Sequence, residues 1–261
     1  MLIDVSDANT IPMKIKDKIV SSFSNLTSDI IEMIKKKSID DEDSMMRTIK
    51  KCYGYSKTNR LYLDLENILK KYEIVCFHST KMLSKNRVRE YGLNTNEWNK
   101  YRANIIDTYE RLGVSRDKID VAITFLQKAY KERYLDIGCL PHLCFYSNLS
   151  MLEETDGSVG YNVFCENIGG ELALYALKGN YPNLYKLLKD NGESFVVKFK
   201  IPYSKISCYR KEDILLHLIT YYAGVYFKSK KYNIEFIAET QFDIPQKDIL
   251  AIIDYNKVIR Y

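Results

Sequence analysis

Two β-rich apolar runs set far apart constrain this 261-residue chain most. Residues 72–80 read Tyr-Glu-Ile-Val-Cys-Phe-His-Ser-Thr, and residues 234–245 read Ile-Glu-Phe-Ile-Ala-Glu-Thr-Gln-Phe-Asp-Ile-Pro. Each is rich in β-branched and aromatic residues, and each delivers hydrogen-bonding side chains near one end: His78, Ser79 and Thr80 in the first, Glu239 in the second. A sheet carrying both would offer a polar, ribose-bearing ligand a ready set of partners. The alternating run from Ser194 to Pro202 is a third strand, stopped by its proline. Leu143 to Ser147 is a short fourth, and Ile249 to Ile259 a last strand or strand pair.

The region before residue 70 has a different period. Ile19, Val20, Phe23, Leu26, Ile30, Ile31 and Ile34 recur mostly at three- and four-residue steps, which predicts amphipathic helices, with Thr27 or Ser28 capping the second. Acidic residues 40–43 precede Met45, Met46 and Ile49, where a helix N-terminus favours negative charge, and Gly54 ends that helix. Residues 59–71 predict a further helix. Others are expected over 81–90, ending at Gly92, over 97–112 and 115–133, and over 211–227. Residues 152–160 have loop composition. The fold class is therefore α+β, with a helical N-terminal lobe at 1–70 and a helical insertion at 97–133.

Composition narrows the function. Hydrophobic residues make up 46% of the chain, enough for a sizeable core, and the net charge of +5 suits an acidic partner without requiring one. No apolar stretch reaches membrane-spanning length, and the first residues lack a signal-peptide pattern, so a cytoplasmic protein without a membrane partner is expected. Six cysteines form no Cys-x-x-Cys pair, so free thiols are expected rather than disulfides. Cys139, His142 and Cys144 are metal-like types close together, but Pro141 divides them and no second ligand cluster is visible, so no metal is expected.

The order of these pieces resembles the ADP-ribosyltransferase superfamily, in the branch that uses His, Tyr and Glu, including toxin and phage-defence members. The resemblance rests on the His-x-Thr strand at 78–80, the helix and Gly92-Leu93 after it, an aromatic strand at 143–147, and the Glu239 strand running into Ile244-Pro245. It implies a split, mainly antiparallel sheet within a catalytic domain at 71–261. It further implies NAD as substrate, mono-ADP-ribosyl transfer to RNA or protein, and an intracellular toxin with a possible antitoxin partner.

The resemblance also distributes roles. Cleavage of the bond between nicotinamide and ribose passes through a sugar cation, which a carboxylate stabilises. That role falls to Glu239, while His78 would hold the adenosine ribose and Ser79 or Thr80 the nicotinamide amide. Tyr146, Tyr161 or Phe145 would stack on the nicotinamide ring. Two other carboxylates compete: Glu235, four residues earlier on the same expected strand face, and Glu171, after Gly169-Gly170 at a helix start. The basic and aromatic stretch from Tyr222 to Tyr232 would suit an RNA strand, or else be core tyrosines beside a solvated loop. Two other classes stay open. One is a non-catalytic nucleotide- or partner-binding module. The other is a transferase of RNA phosphate to NAD, which would need a second histidine; His142, in a proline turn, and His217, on a helix, are unconvincing for it.

Overall fold

The computed structural model describes residues 1–254 except 25, 39, 137–139 and 153–164. Among these, ten α-helices and a six-stranded open sheet form a mixed architecture of helices and strands. The strands are β1 (Leu2–Ile3), β2 (Glu73–Met82), β3 (Leu143–Tyr146), β4 (Glu193–Pro202), β5 (Ile237–Thr240) and β6 (Ile249–Asp254). Their order is β5-β3-β2-β4-β6, with β1 paired in parallel to the start of β2. β4 and β6 pair antiparallel, with a register shift between Lys198 and Phe199. The loop expected at 152–160 lies almost wholly outside the described residues, as does Cys139.

Contacts divide the chain into two units. The first comprises Met1–Cys76, Tyr146–Asn148 and Ile201–Ala238. It holds α1 (Met13–Phe23), α2 (Ser28–Ser38), α3 (Glu42–Tyr53), α4 (Tyr55–Leu69) and α10 (Cys208–Phe227). The helical period puts Ile15, Ile19, Phe23, Ile34, Met45 and Leu65 on buried faces. α10 packs against all four N-terminal helices, and its Phe227 ring lies 5.1 Å from that of Phe23. The helices expected at 1–70 therefore share their unit with a helix from far along the chain. Asp41 caps α3 by accepting from the Ser44 amide, and Gly54 ends that helix at φ +97°, as the composition there predicts.

The second unit comprises Phe77–Phe145, Leu149–Lys200 and Glu239–Tyr261. In it lie α5 (Asn86–Tyr91), α6 (Trp98–Arg111), α7 (Arg116–Tyr130), α8 (Gly170–Leu177) and α9 (Pro182–Asp190). Ile105, Tyr109, Leu126, Leu172, Leu177 and Leu188 form one buried cluster, so the segment expected as an insertion shares its core with α8 and α9. α7 continues into a π-helical turn at Lys131–Leu135.

Two boundaries differ from expectation. β2 continues through Lys81 to Met82, and the helix expected from residue 81 begins only at Asn86. The Glu strand begins at Ile237, not at residue 234 where its apolar run begins. Before it, the Ser147 amide donates to the Phe236 carbonyl, and the Ser147 hydroxyl donates to the Ile234 carbonyl and accepts from the Phe236 amide, so that side-chain bonds take part of a ladder's place. Glu235 is consequently off the strand, and the period of two that put it on one face with Glu239 does not apply.

Candidate functional site

A cavity of about 670 Å³ opens on the second unit, within the size range of small-molecule sites. Its wall is built from the end of β2, the turn after α5, the π-helical turn, the entry to β3 and the start of α8.

His78, Ser79 and Thr80 all line it. The His78 Nδ1 lies 2.8 Å from the carbonyl oxygen of Cys144 on the neighbouring strand. A carbonyl only accepts, so Nδ1 carries the proton and Nε2 of the neutral ring is left as an acceptor. Burial keeps the ring neutral by pushing its pKa down to about 4, and the bond to Cys144 opposes this only in part. His78 therefore presents a fixed acceptor of the kind a ribose hydroxyl requires.

The Gly-Leu and the Ile-Pro segments, far apart in sequence, meet here. Leu93 and Ile244 exchange backbone hydrogen bonds of 2.9 and 2.8 Å in an antiparallel bridge. Gly92 sits at φ +77°, and a Cβ on it would lie 2.0 Å from the Ile244 carbonyl oxygen, so only glycine permits this approach. Asp243 locks the same junction, accepting from the amide and hydroxyl of Thr95 and from Lys100. Burial raises the Asp243 pKa, but these donors outweigh it and hold the carboxyl below the usual range.

Glu239 follows from the strand order. β3 lies between β2 and β5, so Cys144 has His78 against its carbonyl and Glu239 beside its side chain. The Glu239 carboxylate is 3.5 Å from His142 Nε2, at 20% side-chain exposure. His142 and Cys144 line the cavity, and Glu239 stands against them.

The other expected site residues are placed differently. Phe145 and Tyr146, expected to stack on a ligand, are fully buried in the packing of the sheet: Phe145 stands edge-on to Phe199 with ring centroids 5.6 Å apart. Neither lines the cavity, to which β3 contributes Leu143 and Cys144. Tyr161 lies outside the described residues. Glu171 does line the cavity, in the first turn of α8, but Arg133 pairs with it at 2.5 Å, so it is a charge partner and not a free carboxylate. Glu235 belongs to the other unit, bonded to Asn233.

Sequence reasoning missed Tyr134 and Arg133. Both line the cavity from the π-helical turn, an irregularity frequent at functional sites. Their only signal was the aromatic run Tyr130-x-x-x-Tyr134 at the end of a helix. It also set His142 aside, although His142 packs edge-on to Tyr134 within the wall.

The buried thiols belong to the core: burial pushes Cys165 up to about 12 and raises Cys76 well above the ordinary range, so neither supplies a thiolate. No helix among the described residues is long and apolar enough to cross a membrane. Neither protein-family models, curated proteins nor solved structures include a match to this chain.

Proposed function

We propose that the chain is an NAD-dependent mono-ADP-ribosyltransferase of the His and Glu type, with a split sheet around the cavity, modifying RNA or protein inside the cell as a toxin or defence factor held by an antitoxin. One observation carries the reading: the His strand and the Glu strand flank β3, so that His78 lies against the Cys144 carbonyl in the cavity wall and Glu239 stands against the lining residues His142 and Cys144. The cavity volume and the acceptor nitrogen of His78 fit a dinucleotide substrate. In this reading His78 accepts from a ribose hydroxyl. Glu239 stabilises the positive charge that develops on the sugar as the nicotinamide bond breaks, and it polarises the acceptor group.

The test is release of nicotinamide, and transfer of label, when the protein meets labelled NAD with RNA or with cell lysate. Wild type transfers label; Glu239→Gln lowers the rate by roughly 100- to 1,000-fold, the cost of losing one electrostatic stabiliser. Glu235→Gln stays near wild type. A wild-type protein that binds NAD without releasing nicotinamide is a binding module, and one that does neither removes NAD from the proposal.

A further inference from the structure

We infer that His142, Cys144 and Glu239 form a binding site for a zinc-class divalent cation, with three protein ligands and one open position. A ring nitrogen of His142, the Cys144 Sγ and a carboxylate oxygen of Glu239 all lie within 4.8 Å of one another, and all three residues are partly buried. His142, just before β3, and Cys144, within it, are two positions apart, while Glu239 comes from the adjacent β5. The second ligand cluster that the sequence lacked near residue 142 is thus supplied across the sheet.

The histidine is arranged as a ligand. Its Nδ1 is 3.0 Å from the Leu140 carbonyl, which can only accept, so Nδ1 bears the proton and the Nε2 lone pair faces the carboxylate 3.5 Å away. A backbone carbonyl behind the far ring nitrogen is how metal-bound histidines are oriented. Two acceptors facing each other need a cation or a proton between them. The separation is long for a charge-assisted hydrogen bond, ordinarily about 2.7–2.9 Å. It is close to the roughly 3.3 Å that separates two ligands around a tetrahedral zinc with bonds of about 2.0–2.1 Å. The hydrogen bond from His78 to the Cys144 carbonyl anchors the third ligand. Histidine, thiolate and carboxylate together favour zinc or cobalt over magnesium or calcium. Binding releases the thiol proton of Cys144 to solvent.

The site shares Glu239 with the proposed transferase, so an occupied metal site withdraws the carboxylate and switches transfer off. This regulatory consequence rests on the transferase reading; the metal site does not. Titration of the intact protein with Co²⁺, followed by absorbance, tests the site directly. The expected result is a thiolate-to-cobalt charge-transfer band with four-coordinate visible bands at one equivalent, all displaced by Zn²⁺. Cys144→Ser abolishes the charge-transfer band, and His142→Ala weakens Co²⁺ binding at least about tenfold, with circular dichroism unchanged. Glu239→Gln, which preserves side-chain volume, weakens binding likewise and serves if the Cys144 variant does not fold. Absence of the band in wild type, or its survival in Cys144→Ser, overturns the site and leaves a proton bridging His142 and Glu239. Inhibition of nicotinamide release by Zn²⁺, reversed by a chelator, is then the separate readout of the switch.

Discussion

His78 couples fold stability to the chemistry of the cavity. Its pKa of about 4 in the folded chain lies below the roughly 6.5 of an unfolded histidine, so the unfolded chain takes up the proton first as the pH falls. The stability associated with its neutral form is fully present above pH 6.5 and is lost as the pH falls through 4. Over that window the loss amounts to at most about 3 kcal/mol. Chemical denaturation between pH 7 and 4 should therefore show a drop in midpoint that His78→Gln, which keeps a donor for the Cys144 carbonyl but does not titrate, makes shallower. Equal slopes in the two proteins would mean that other groups carry the acid limb. At this scale the sequence showed His78 and Glu239 as polar positions within apolar runs, which is a local property, and the structure puts His78 in the cavity wall and Glu239 against His142 and Cys144. It misled for Phe145 and Tyr146, because whether a strand aromatic meets a ligand or the core depends on what packs against it, and here both rings are buried, Phe145 against Phe199.

Among the elements, the junction of Leu93 with Ile244 is the most sharply specified. Gly92→Ala forces a Cβ onto the Ile244 carbonyl at a backbone angle that L side chains rarely adopt, and the three nearest atoms it would meet, from Ile244, Pro245 and Gln246, are all backbone that cannot turn aside. A loss of about 2–4 kcal/mol in unfolding free energy is expected, read from denaturant titration. Alanine at Gly113, whose Cβ would meet nothing within 4 Å, should cost less, although φ there is also positive. Equal costs at the two positions would show that the close approach does not matter. Helices were legible because their apolar residues recur with the helical period and their ends carry Asp41, Gly54 and Ser115. The start of β5 was not, because Ser147 meets residues 234–236 partly through its side chain, and nothing local in those residues reports a partner some ninety positions away.

For the whole molecule, the division into units falls inside β2, β3, β4 and β5, so neither unit is a continuous stretch of chain. A fragment of residues 71–261 retains α10 without the four helices it packs against, leaving Phe227, whose ring packs on Phe23, uncovered. Expressed alone, that fragment should aggregate or lose its cooperative thermal transition, whereas a soluble, cooperatively melting fragment would mean that the first four helices are dispensable. Read alone, the chain specified a mixed architecture of helices and strands and most of the individual elements, because periodicity, caps and strand ends are local properties. Tertiary structure alone decided that α10 joins the N-terminal helices, that Gly92-Leu93 closes on Ile244, and that Glu239 stands against His142 and Cys144. These are pairings between distant segments, set by which apolar faces can be buried together and which backbone groups can bond, and a strand does not carry the identity of its neighbour in its own residues.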